Sequence, residues 1–424
     1  MRRHPVAVPG PLRARSFRWL FVGRTTTSLG NAVAPIALGF AVLDLTGSVA
    51  ALGLVVAARS IANVAVLLFG GVVADRWPRH LILAGSQGLA AITQGLVAVL
   101  VLTGTASVPL LAALSVVNGL AAGLGFPATA ALIPQTVPPT LLRQANALAR
   151  MGVTTALIGG AAAGGSLVAV AGPGWGLAAD AASFAVAAVC FTRIGVAAPR
   201  TPSSSSVLEE LRAGWGEFRS RQWVVVVVAQ YCVVNACFQG SMVVLGPVVA
   251  DDTFGRAQWG LALAALNGGL LLGGAVALRW QPHRALRWGV LLCFVNVLPL
   301  LALAYVPVFA VVAVAMVLLG FAIEQFTVAW DVSLQENVPA ERLARVYSYD
   351  ALGSFLAIPL GEATVGPLAQ LTHGVRPVLT GCAVLIGLAT LGALASPSVR
   401  QLRSGPPPVT RQTARARVSF RGRR

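Results

Sequence analysis

Seven ionisable side chains sit inside long apolar runs: Arg24, Arg59, Asp180, Glu324, Asp331, Asp350 and Glu362. At the centre of a bilayer a charge costs about 3 kcal/mol or more unless it is paired or faces water. A carboxyl group taken out of water holds its proton more tightly, and an arginine brought close favours release. An acid facing a cavity that opens alternately to two compartments can therefore carry a proton between them. Glu324 and Glu362 are the foremost carriers, because their runs should border a central cavity. Asp180 is expected to pair with Arg59, and Arg24 and Arg59 serve either to line a substrate cavity or to pack. Asp331 and Asp350 lie nearer the ends of their runs, where water reaches, and Asp350 is kept with the pathway group. The competing role for each acid is a hydrogen bond that ties neighbouring helices together.

A second cluster lies in the turn from Gly71 to His80, between apolar runs at about 48–73 and 81–103. A glycine lets two helices approach closely. An aspartate can accept hydrogen bonds from the free N–H groups at a neighbouring helix N-terminus. Arginines beside it can pair with that carboxylate or with lipid phosphate. Gly71, Asp75, Arg76 and Arg79 thus have the makings of a gating latch rather than of a catalytic centre.

Lipid-spanning helices must position both groups. The chain has 424 residues, 56% hydrophobic and 11% charged, with a mean hydropathy of +0.78. A soluble domain carries roughly 25% charged residues, and each membrane crossing needs about 20 apolar residues. Twelve continuous runs account for most of the length, which predicts an all-α integral membrane protein of twelve transmembrane helices. Continuous rather than alternating hydrophobicity speaks against a β-barrel. The formal charge of +17 reads as topology, not as nucleic-acid binding. All 31 basic residues are arginines. Apart from Arg256 and Arg376 in opposite-side loops, and Arg24 and Arg59 within runs, they fall on one side, which is thereby expected to be cytoplasmic. Both termini are expected there. The first run lacks a short core with a cleavage site and reads as a retained helix. The five cysteines all lie within runs without metal-ligand or disulfide spacing, as small buried hydrophobes.

The expected organisation is a six-helix bundle over 1–197, a linker with an amphipathic helix over 198–221, a second bundle over 222–396 and a disordered arginine-rich tail over 397–424. In the linker Val207, Leu208, Leu211, Trp215 and Phe218 recur every three or four residues, suiting a helix that lies on the membrane face. The tail suits anionic headgroups. An internal repeat supports the division: Val137-Pro138, Leu142 and Gly152 recur 201 residues later as Val338-Pro339, Leu343 and Gly353. Two parallel halves related about the membrane normal are an arrangement associated with alternating access.

The Gly71–His80 turn resembles the loop between helices two and three of the major facilitator superfamily, with Gly71, Asp75, Arg76 and Arg79 matching and Pro78 and His80 departing. Arg24, Ser28-Leu29-Gly30, Leu43 to Ser48, Phe126-Pro127-Ala128, Ile133-Pro134, Ala145-Asn146, Asp180 and Ser183-Phe184 are similar to its macrolide-efflux and siderophore-exporter-like branch. Gln335, Val338-Pro339 and Arg345 extend the likeness into the second half. The resemblance implies the major facilitator fold in two pseudo-symmetric halves. It implies a bacterial plasma-membrane exporter of small amphipathic molecules by proton antiport. Antiporters of the superfamily often carry a Gly-Pro motif in the fifth helix, where this chain has glycine pairs without the proline. Phe238, Phe326 and Trp330 are expected to line the drug cavity. No cofactor is expected beyond the proton gradient, and the expected partners are substrate, protons and lipid, with no nucleic acid and a monomeric chain. No phosphate-binding loop and no nucleophile–base pair is present, so neither ATP drive nor an enzyme is indicated. An importer or uniporter of the same fold, or a non-transporting sensor or assembly protein, is the alternative.

Overall fold

Twelve helices long and apolar enough to cross a bilayer form the computed structural model, which describes residues 10–76, 78–195, 215–280 and 282–402. In the first half α1 is Arg15–Thr46, α2 Val49–Arg76, α3 Arg79–Leu102, α4 Val108–Thr136, α5 Leu142–Ala171 and α6 Pro173–Thr192. In the second half α7 is Gln222–Asp252, α8 Arg256–Ala277, α9 Ala285–Tyr305, α10 Phe309–Asn337 and α12 Val375–Ala395. Between these last two, α11 is Ala340–Phe355 continued by Ile358–Leu371. The even number of crossings puts residues 10 and 402 on one face, called here the termini face; the turns after α1, α3, α5, α7, α9 and α11 form the far face.

Lipid replaces water as the outer solvent, so large aliphatics face outward and small residues face other helices. On α12, Val384, Leu385, Leu388 and Leu391 are exposed, whereas Cys382, Ala383, Ile386 and Ala393 are buried. Three helices expected to be continuous are locally rewound, each just before a proline that lacks the N–H a regular turn requires. In α7, Gly240–Leu245 form a π-helical segment ahead of Pro247. In α9, Cys293–Asn296 form a 3₁₀ turn ahead of Pro299. Ahead of Pro359, α11 breaks between Phe355 and Ile358. The break leaves the Ser354 carbonyl without its helical partner, and Asn235 of α7 donates to it at 2.8 Å.

Matching backbone and packing express the internal repeat. Val137 and Val338 both end a helix in extended conformation, at φ −137°, ψ 152° and φ −117°, ψ 128°. Gly152 of α5 packs on Phe21 and Thr25 of α1, while Gly353 of α11 packs on Val228 of α7. Gly160 sits on the Leu29 carbonyl, and Gly361, the same 201 residues on, sits on that of Ala236. The molecule therefore consists of two six-helix halves with equivalent internal contacts.

Part of the expected organisation falls outside the described residues: Val207, Leu208 and Leu211 of the linker and the tail from 403. The described end of the linker docks on the second half rather than only on lipid. Phe218 is buried, with ring centroids 5.7 Å from Trp215 and 5.8 Å from Tyr349 of α11. Glu217 pairs with Arg221 and, at 2.6 Å, with Arg342 at the start of α11.

Candidate functional site

The halves touch chiefly along two seams, α2 against α11 and α5 against α8, with α1 and α2 also meeting α7. Glycine makes both seams possible. Gly165 of α5 lies so close to Gly260 of α8 that a methyl group on it would come within 2.7 Å of the Gly260 Cα. In the other seam a methyl group on Gly366 of α11 would stand 2.8 Å from the Ala50 Cα of α2. Gly165 and Gly366 are 201 residues apart, so the seams are pseudo-symmetric equivalents. Their chemistry differs.

The α2–α11 seam is filled with charge. Glu362 is 3% exposed and Asp180, on α6, is 1% exposed. Arg59 of α2 interacts electrostatically with both carboxylates, and Ser60, the next residue, offers its hydroxyl to Glu362. The expected Arg59–Asp180 pair is not a direct one: Arg59 Nε donates instead to Asn118 Oδ1 of α4 at 3.1 Å. Asn118 Nδ2 then donates to Thr93 Oγ1 of α3 at 3.3 Å. A polar chain thus crosses the first half and ends at an acid of the second. Asp180 packs beside Gly30 of α1, where no larger residue fits. Among the described residues, Asp180 Oδ1 and Glu362 Oε2 are buried without a hydrogen-bond partner.

The equivalent space in the α5–α8 seam is a cavity. It holds about 180 Å³ between Asn31, Ala32, Pro35 and Ile36 of α1, Leu157 and Ala161 of α5, Phe238, Gln239, Met242, Val243 and Pro247 of α7, residues of α8 that include Trp259, Leu266 and Asn267, and Met316 of α10. Asn31 and Phe238 are 207 residues apart, as are Phe21 and Val228, so α1 and α7 line it with equivalent positions. Applying the same spacings, Arg59, Ser60 and Glu362 stand where Leu266, Asn267 and Ala161 stand in the cavity seam. None of its described lining residues is ionisable. The π segment of α7 supplies Met242 and Val243, and such segments are frequent at functional sites.

The remaining expected residues are scattered. Glu324 of α10 reaches Arg150 of α5 at 3.8 Å, bridging the halves away from Glu362. Asp350 accepts from Trp330 Nε1 at 2.9 Å and from Ser354 Oγ at 3.3 Å, and Asp331 accepts from Tyr347 at 3.0 Å. These last two acids tie α10 to α11 inside the second half. Phe238 lines the cavity, but Phe326 stacks on Tyr231 at 4.2 Å and Trp330 packs on Trp223 at 5.5 Å, away from it. Arg24 is half-buried on α1, without a partner among the described residues. Gly71, Asp75 and Arg76 close α2, but their side chains lie outside the described ones, as do those of Phe126-Pro127-Ala128 and Arg345; Arg79 opens α3 and is half-buried.

A charge cluster on the far face did not emerge from the apolar runs because it lies beyond them. Arg256 clamps Asp44 at 2.8 Å and 2.5 Å, and Asp251 at 2.8 Å and 2.9 Å, with its guanidinium 4.6 Å over the Phe40 ring. Asp44 belongs to the first half and the other two charges to the second, so the cluster joins the halves at the far face. The signal was present: an arginine in a far-face loop that otherwise holds acids.

A family model for the Major Facilitator Superfamily matches residues 20–362. Among characterised proteins the chain is 25% identical over 391 residues to the multidrug efflux pump Tap of Mycolicibacterium fortuitum, covering 89% of this chain and 94% of that one. It is 25% identical over 412 residues to the enterobactin exporter EntS of Shigella dysenteriae, covering 93% and 95%. Among solved structures, a bacterial homologue of the human lysosomal transporter Spinster, inward-facing and unoccupied, superposes with a TM-score of 0.72 at 16% identity over 94% of this chain and 100% of that one.

Proposed function

Because the chain belongs to the major facilitator superfamily of membrane transporters, we propose that it exports a small amphipathic compound from the cytoplasm in exchange for protons. The termini face, which carries most of the arginines, is the cytoplasmic one in a bacterial plasma membrane. The observation that carries the reading is the division of labour between two equivalent seams: one holds an uncharged cavity, the other a buried acid facing an arginine across the halves. Substrate enters the cavity from the cytoplasmic side while the far mouth is shut. The halves then rock, as alternating access requires, and release it at the far mouth. There the free Oε2 of Glu362 takes a proton; the neutral acid returns as the α2–α11 seam closes, and Arg59 beside it favours release of the proton to the cytoplasm. Two efflux proteins among the relatives support export.

The test is transport into inside-out vesicles. Accumulation of a fluorescent amphiphile should follow an imposed pH gradient in the parent. In Glu362→Gln it should lose that drive while substrate exchange without a gradient persists. Accumulation independent of the gradient in the parent would remove antiport, and retained gradient drive in Glu362→Gln would remove this residue from the pathway.

A further inference from the structure

The cavity says something about what it takes. Three amides, Asn31, Gln239 and Asn267, are its lining side chains of strong hydrogen-bonding character, and no carboxylate stands among its described lining residues to hold a cation. Asn267 already spends its amide N–H on the Leu263 carbonyl at 3.0 Å, which leaves its oxygen as an acceptor. Asn31 makes no hydrogen bond among the described residues and is exposed to this space.

Arg24 occupies the same face of α1 as Asn31 and Pro35, two turns nearer the termini face. The separation along the axis is about 10 Å at 1.5 Å per residue. On α5, Arg150 stands in the same relation to Leu157 and Ala161, but Glu324 matches its charge at 3.8 Å. Arg24 has no such match among the described residues, so it is an uncompensated charge at this level. Its equivalent on α7 is Tyr231, whose ring stacks on Phe326 at 4.2 Å. An unpaired guanidinium so near the membrane interior calls for a negative partner, and an aromatic pair lies at the same level on the opposite half.

We propose that the central cavity and Arg24 together form the binding site for an amphiphile with a flat, uncharged body and one anionic group. The body lies among the amides and apolar side chains; the anion sits on Arg24, nearer the side from which it is loaded. This deepens the export reading and rests on it.

Two probes that share one ring system test it: N-phenyl-1-naphthylamine, which is neutral, and 8-anilinonaphthalene-1-sulfonate, which adds an anion. Equilibrium dialysis against the protein in lipid nanodiscs, corrected with empty discs, gives the ratio of their affinities. The parent should favour the sulfonate by about tenfold, or about 1.4 kcal/mol. Arg24→Gln should bring the ratio near one, and Arg24→Lys should keep most of it. On the parent alone, competition against bound naphthylamine should rank the sulfonate above a quaternary-ammonium derivative of the same rings. An unchanged ratio in Arg24→Gln, or the reverse ranking, overturns the proposal. Efflux of the neutral probe from proteoliposomes is read separately. Efflux without a charge preference overturns the site and leaves export standing; a charge preference without efflux supports the site and removes export.

Discussion

At the scale of single residues, the Arg59 guanidinium is what makes two buried carboxylates tolerable. Removing one partner of a buried ionic group costs about 3–5 kcal/mol, because the other charge is left without compensation. Arg59→Leu should therefore yield little monodisperse protein in size-exclusion chromatography. Neutralising both acids in the same background, as Asp180→Asn with Glu362→Gln, should restore the folded peak without restoring gradient-driven efflux. If the triple variant is no better folded than Arg59→Leu alone, the role assigned to Arg59 is wrong. These three residues were legible in the sequence because a charge in an apolar run is conspicuous. Asn31, Asn118, Gln239 and Asn267 were not, since an uncharged amide hardly disturbs a hydropathy pattern and its meaning depends on what lies opposite. Position in the eleventh run already set Glu362 ahead of Asp350, and packing supplies a different reason: Asp350 is held by Trp330 and Ser354, while Glu362 Oε2 has no hydrogen-bond partner among the described residues.

At the scale of elements, the helices and their order were readable from apolar run lengths, but the rewound segments of α7, α9 and α11 were not. A proline inside a spanning helix is compatible with a smooth rod, as Pro35 in α1 shows, and neighbouring groups decide whether the helix rewinds. The cross-half glycines were equally silent, because spacing alone cannot say which helix a small residue faces. Gly159 meets nothing, whereas Gly165 meets the backbone of α8. Gly165→Leu should accordingly force the α5–α8 seam apart and raise thiol labelling of a cysteine placed at Ala257, with Gly159→Leu as the neutral comparison. Equal labelling in the two variants would contradict the seam. The linker offers a pH-dependent counterpart. Hydrogen bonding from Arg221, and then from Arg342, holds the Glu217 carboxyl below its ordinary range. A depressed folded-state value means that docking is favoured above the unfolded carboxylate range and lost as pH falls through the folded value. Acidification into that range should therefore release Trp215 from Phe218 and Tyr349. The fluorescence difference between the parent and Trp215→Phe reads this step, and Glu217→Gln should abolish it. A transition surviving in Glu217→Gln would assign it to another group.

At the scale of the whole molecule, the described contacts between halves gather from the membrane middle to the far face, where Arg256 joins Asp44 to Asp251. Forked guanidinium–carboxylate geometry favours this cluster, but Asp44 is 42% exposed and Asp251 36% exposed at the side chain, so screening limits it. A surface ion pair of this kind contributes about 1 kcal/mol or less. That changes a two-state ratio by about fivefold, far short of the roughly 5.5 kcal/mol that carries a population from one extreme to the other. The clamp is thus a bias on the closed far mouth, and most of the switch must reside in the seams and in what binds the cavity. Arg256→Ala should shift, not invert, the distribution of distances between spin labels at Leu45 and Asp252. The shift should be reproduced in the parent by high salt, since screening weakens exposed pairs. Glu362→Gln, which removes the attraction to Arg59 across the α2–α11 seam, should add to it. A complete conversion to the open mouth by Arg256→Ala alone would show that the far-face cluster, rather than the buried acid, governs the rocking of the halves. An additive shift places the controlling free energy in the α2–α11 seam, where Glu362 faces Arg59.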